Sequence, residues 1–143
     1  MTAFFSNYLL NFIVGWYWGS RSRSVPTILY AALMTTSGSD NNGTGAVEAA
    51  GTYGYARVAI NNNSTNWVEP VAGLTSNGAV ITWPKALGGN YGTIEGVYFY
   101  DASTAGNLLF GINIPVSSQK TLNEGERLEY ELNDFTLSLV NPS

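Results

Sequence analysis

Thr93–Ile114 reads TIEGVYFYDASTAGNLLFGINI. Its opening, Thr93 to Tyr100, is rich in aromatic and β-branched residues, the composition of a strand, and Gly96 within it marks a bulge or a close backbone approach. Asp101 to Gly106 is small and polar and turns the chain. Asn107 to Ile114 then sets Leu108, Phe110, Ile112 and Ile114 at every second position, the period of a strand with one buried face. Pro115 stops it. Two neighbouring strands joined by a short turn predict an antiparallel sheet rather than a helical domain.

The same punctuation extends in both directions. Upstream, Thr27 to Thr36 (TILYAALMTT) is apolar on both faces, so it is a central or covered strand. Ser37 to Gly45 is a loop in which Asn42-Gly43 supplies the positive φ that tight turns need. Gly54 to Asn61 (GYARVAIN) alternates, with Ala56, Val58 and Ile60 on one side and Tyr55, Arg57 and Ala59 on the other. After the Asn61 to Asn66 loop, Trp67-Val68 forms a short pairing segment at most. Asn77-Gly78 is a hairpin signal before Ala79 to Trp83, and Pro84 ends that strand. Downstream, Leu128, Tyr130 and Leu132 are expected inward and Glu129 and Glu131 outward, with Phe135, Leu137 and Leu139 on a last strand. Those final two segments are either a hairpin or one bent strand. The whole is mainly β: an antiparallel β-sandwich or jelly-roll-like barrel of about seven to eight strands with one N-terminal α-helix.

That helix lies in Phe4 to Trp18, FFSNYLLNFIVGWYW. Phe5, Leu9, Phe12, Ile13 and Trp16 form one stripe at helical spacing, while Phe4, Leu10, Val14 and Tyr17 cover much of the rest. A helix apolar nearly all round is buried on more than one side. It is either a core helix lying on the domain's own sheet or an element shared with another subunit, and the excess of apolar residues favours sharing. Gly19 to Ser24 is a polar linker whose Arg21 and Arg23 are the one close basic pair. Residues 1–24 are therefore an arm and residues 25–143 a β domain. The candidate partner contacts are Phe4, Phe5, Tyr8, Leu9, Phe12, Ile13, Trp16, Tyr17, Trp18, Arg21 and Arg23.

At 143 residues the chain is one domain with a single sizeable core. It has no cysteine and no histidine, which removes disulfides, Cys/His metal sites and every Cys-His or Ser-His-Asp arrangement. A net charge of −4 argues against sequence-independent nucleic-acid binding, which needs clustered Lys and Arg. Only 11% of residues are charged, low for a surface that meets water alone, so part of it is expected to be covered by other subunits. Met1-Thr2-Ala3 lacks the basic start of a secretory signal, and the apolar run falls short of the roughly 20 residues that span a bilayer, so no membrane partner is expected and the cytosol is the default.

Little here reads as chemistry. Glu124, Glu126, Glu129, Glu131 and Asp134 concentrate carboxylates, but their spacing matches no calcium loop and the alternation turns Glu129 and Glu131 to solvent. Gly38, Gly43 and Gly45 form no phosphate loop. Trp67, Trp83, Tyr91, Tyr98 and Tyr100 are the residues that would stack on a glycan, although such residues more often pack a sheet. No general base with a pKa tunable to neutrality is visible, so no enzyme and no cofactor are expected.

In order, PTILYAALMTT, a Gly/Asn-rich loop, GYARVAI, TSNGAVITWP and GTIEGVYFYDASTAGNLLFGINIP, followed by the Glu-rich last strands, resemble a family of small tailed-bacteriophage virion proteins. Its members are commonly labelled tail fibre proteins, and similar folds serve as capsid decoration, or cement, proteins. The resemblance spans roughly residues 25 to 140, most specifically GYARVAI, TSNGAVITWP and FYDASTAGNLLF. It implies a structural component of the virion, assembled in the host bacterial cytoplasm, with no catalytic residue. No collagen-like, coiled-coil or β-helical repeat is present to build a shaft. A short chain with one sticky arm points to decoration of the head shell, the arm binding the major capsid protein or copies of itself, with a trimer as the family analogy. The alternative is a tail fibre or baseplate adaptor with glycan-binding aromatics.

Overall fold

The computed structural model describes residues 3–139; Met1 and Thr2 of the arm and residues 140–143 lie outside them. Among the described residues the chain forms twelve short strands and one α-helix. The main sheet contains β1 (Phe4–Phe5), β2 (Ile28–Thr36), β3 (Val47–Glu48), β4 (Val58–Asn61), β8 (Gly96–Tyr100) and β9 (Leu108–Asn113), all pairings antiparallel. β2 is its centre: β8 lies along one edge, while β4 and β3 share the other, β4 on Ile28–Ala31 and β3 on Met34–Thr36. This explains why TILYAALMTT is apolar on both faces. Leu29, Ala31 and Leu33 enter the main core, and Ala32 and Met34 enter a smaller cluster with Tyr98 on the opposite face.

The second layer is one interrupted ribbon. β5 (Leu74–Ser76), β6 (Ile81–Thr82) and β7 (Gly92–Ile94) pair in turn with β12 (Thr136–Ser138), β11 (Glu129–Tyr130) and β10 (Lys120–Leu122). Leu74 faces Ser138 at one end and Ile94 faces Lys120 at the other, so the two runs stay antiparallel along their whole length. Between the ladders, Trp83 N–H donates to Leu128 O, Ala86 N–H to Glu126 O and Tyr91 N–H to Leu122 O. The final two segments are thus one bent strand and not a hairpin. The count exceeds seven or eight because β5/β6 and β11/β12 are interrupted segments of the ribbon, β7/β8 is one run that passes from the ribbon into the main sheet at Glu95, and β1 lies in the stretch read as helix. The layers pack as a sandwich and do not close into a barrel.

Several local expectations change for physical reasons. Asn77-Gly78 is no hairpin turn: Asn77 is buried and fills the break in the ribbon, and a Cβ on Gly78 would stand 2.7 Å from Thr65 O. Leu132 is exposed because the ribbon bulges there, with Asn133 at φ +67°. Leu108 leaves the face of Phe110, since the register slips by one residue between β8 and β9, and joins Tyr98 and Tyr100 while Leu109 enters the main core. GYARVAI is strand only from Val58; a 3₁₀ turn at Gly51–Tyr53 and Gly54 at φ +84° precede it. Asn42-Gly43 turns as predicted, with Gly43 at φ +73°.

Candidate functional site

The apolar N-terminal run divides at Ser6. Phe4 and Phe5 extend the sheet as β1 on the edge of β9, and strand alternation sends them to opposite faces, Phe4 against Tyr98 at 5.3 Å and Phe5 against the main core. Gly111 opposite Phe4 leaves room for both rings, since a Cβ there would lie 2.6 Å from Tyr98 and 2.7 Å from Phe4. Ser6 is buried and ends the strand; its Oγ donates to Leu108 O at 2.5 Å and accepts from Leu9 N–H at 3.1 Å, capping the helix. The cap signal, a serine just before the helical spacing, was present in the sequence. The helical reading from Phe4 is corrected accordingly: α1 is Asn7–Trp18.

None of the residues of α1 is buried. Its sandwich-facing side is only half-covered within one chain, at Leu9, Phe12 and Ile13, so a core helix enclosed on both sides by its own domain is not what forms. The stripe Leu9, Phe12, Ile13 and Trp16 faces the sandwich, with Leu9 touching the core, yet it does not close onto it. A groove of about 720 Å³ runs between them. Besides α1 it is lined by the buried Leu29, Leu109 and Phe110 and by Trp67, Leu137 and Leu139. Trp67 is half-buried and its indole N–H has no acceptor among the described residues.

The other side of α1 carries Leu10, Val14, Tyr17 and Trp18, spaced i, i+4, i+7, i+8 on one stripe. They are 36%, 56%, 70% and 74% exposed. Tyr8, at 42%, lies where helix meets groove. The linker folds back along the helix: Arg21 N–H donates to Gly15 O, Arg23 sets its guanidinium over the Phe12 ring at 5.4 Å, and both side chains crowd the place a Cβ on Gly15 would take. The glycine that costs helix propensity is therefore what lets the linker close.

The remaining candidates separate from this site. Trp83, Tyr91 and Tyr98 are buried and closed to a stacking sugar; Tyr100 lies beneath Arg57 at 4.0 Å. Arg57 also pairs with Glu48 at 2.7 Å and donates to the carbonyls of Ala102 and Ala105, tying β3, β4 and the β8–β9 turn together. Burial opposes ionisation of Glu48, but hydrogen bonds from Arg57 and Tyr55 and the Arg57 charge outweigh it and hold the carboxyl below its usual range. Sequence reading assigned Arg57 only to a strand face and missed this staple. The acidic run serves local backbone: Glu124 accepts from Gly88 N–H, Glu126 from Asn123 N–H and Asp134 from Glu131 N–H. Among the described residues no three Asp or Glu side chains converge as metal ligands, and no helix is long and apolar enough to cross a membrane.

Arm, groove and β domain together span Ala3 to Leu139, and residues 4–138 match the family described as Gp80, podophage GP4 fiber I protein gp80. The chain belongs to this family. The fibre I match includes β1 and α1 as well as the sandwich. Membership of this tail-fibre-type family makes the chain a structural protein of a bacteriophage virion. No curated protein matches it.

Proposed function

We propose that the chain is a tail-fibre-type module held in the virion by the exposed face of α1 and the groove beneath it. One observation carries the reading: a twelve-residue helix inside the family's matched region has no buried residue and no charge, yet keeps a capped, docked N-terminus. An apolar helix fixed at one end and bare along its outer side fits a contact made with a neighbour. The family description supports placing that neighbour in the tail.

Decoration of the head shell is the second reading, favoured by a sequence that carries no shaft-building repeat. Labelling an epitope-tagged copy in purified particles, together with its copy number by quantitative mass spectrometry, discriminates the two. Label confined to the tail at low copy number is the expected result. Label spread over the head at a copy number comparable to the shell protein assigns decoration, and absence from purified particles overturns both.

A further inference from the structure

A second, polar concavity lies at the N-terminal end of α1, where Tyr8, the β2–β3 loop at Asn42 and the β8–β9 turn at Gly106 and Asn107 meet beside Tyr100 and Leu108. Its volume is about 330 Å³, at the lower end of the range for small-ligand sites. It shares Tyr8 with the groove but takes nothing from the outer stripe of α1, which starts at Leu10, because residues two apart on a helix do not share a face.

The segments around it are pinned, so the pocket is formed before anything enters. Asn42 Oδ1 accepts from Asn7 N–H at 3.1 Å, and Asn41 Nδ2 donates to Phe5 O and to Asn7 Oδ1, fastening the loop to the start of the helix. Asp101 accepts from Asn107 N–H at 2.7 Å and from Asn107 Nδ2 at 2.8 Å, while Arg57 donates to Ala102 O and Ala105 O, fastening the turn. A preformed site loses less to ordering when it binds.

What those bonds leave over defines the chemistry. The Tyr8 and Tyr100 hydroxyls have no partner among the described residues, Asn42 keeps its Nδ2 amino group, and Asn107 keeps its Oδ1 carbonyl. Two groups that both donate and accept, one that donates and one that accepts therefore belong to one small pocket. Free charge is absent from the elements that build it. α1 has none, Asp40 is satisfied by Asn42 N–H and Thr44, Asp101 by Asn107, and Arg57 by Glu48 and the turn. A phosphate or carboxylate finds no unpaired cation there, and a metal ion finds no unpaired carboxylate. The Tyr8 ring, 42% exposed, and the half-buried Leu108 add apolar surface.

We infer that this pocket is a subsite for a neutral saccharide, about one sugar ring in size. The ring hydroxyls bond the two phenols and the two amides, and the apolar C–H face of the sugar packs on Tyr8. The subsite is additional to the contact proposed for the outer face of α1 and does not depend on it.

Two-dimensional NMR of the isotope-labelled full chain tests the inference, with neutral methyl glycosides of glucose, galactose, mannose, N-acetylglucosamine and rhamnose titrated into the millimolar range. Surface polysaccharide from the host bacterium is the second probe. Saturable shifts at the backbone amides of Tyr8, Asn42 and Asn107 with at least one neutral probe are expected. Tyr100→Phe keeps the ring beneath Arg57 and removes only the hydroxyl; it is expected to raise Kd about threefold to tenfold at unchanged melting temperature. Tyr8→Ala, at an exposed position, is expected to abolish the saturable shifts while the circular dichroism spectrum is retained. The same amides responding to the polysaccharide assign the ligand to the host cell surface, and a response to glycosides alone assigns it to free sugar. No saturable shift at the pocket with any probe overturns the proposal. So does tighter binding of glucuronic acid or glucosamine than of the neutral glycosides, or an affinity unchanged in both variants.

Discussion

Asn77 is 1% exposed and uses its whole side chain. Its Nδ2 donates to Ala79 O at 2.9 Å and Glu131 O at 2.8 Å, and its Oδ1 accepts from Phe135 N–H at 2.9 Å. It replaces the ladder bonds that the ribbon loses at the bulge. Asn77→Ala strands two carbonyls and an amide and is expected to cost about 2 to 4 kcal/mol, with the loss visible in a denaturant titration. Glu48 on the acid side, and Tyr130 with the half-buried Tyr55 on the alkaline side, are among the groups that tie stability to pH. Glu48 titrates below its ordinary value in the folded chain, so its contribution is present above about pH 4.5 and is lost as pH falls through the lowered pKa. Burial, with Asp134 nearby, pushes Tyr130 up to about 12; that contribution is complete below about pH 10 and is lost as pH rises toward about 12. The melting temperature is therefore expected to be flat near neutrality and to fall at both extremes, and Glu48→Gln is expected to flatten the acid limb.

At the scale of elements, what the sequence made legible follows from period. β2 is apolar on both faces because it is central, and β8 and β9 were readable from Thr93–Ile114 because both faces of that hairpin are buried. What was not legible depends on contacts far apart in the chain. Asn77-Gly78 has the composition of a turn, and only the pairing of residues 74–94 with residues 120–138 makes it a bulge. Phe4 and Phe5 fit the helical stripe in spacing, yet the open edge of β9, Gly111 and Tyr98 draw them into a strand. The predicted stripe of α1 does face the sandwich, but period alone cannot say how far it stands off, and the groove exists because it does. The bare outer stripe was visible as excess hydrophobicity, since Leu10, Val14 and Tyr17 exceed what one face can bury.

At the scale of the whole molecule, a sandwich with a filled core carries an arm whose apolar side is unfilled. The core is filled: Leu33, Ile94, Val97, Phe99, Leu122 and Phe135 are each fully buried. The exposed stripe adds nothing to that core, and under the proposed function it is the surface that attaches the protein to a neighbour. Substitutions on it separate assembly from stability, which core substitutions do not. The most direct test is the amount of protein in purified particles from phage carrying Val14→Asp with Trp18→Ser, measured by mass spectrometry against the wild-type phage and normalised to soluble expression. A folded, normally expressed protein at strongly reduced occupancy is the predicted result. Occupancy equal to wild type would contradict attachment through the outer face of α1.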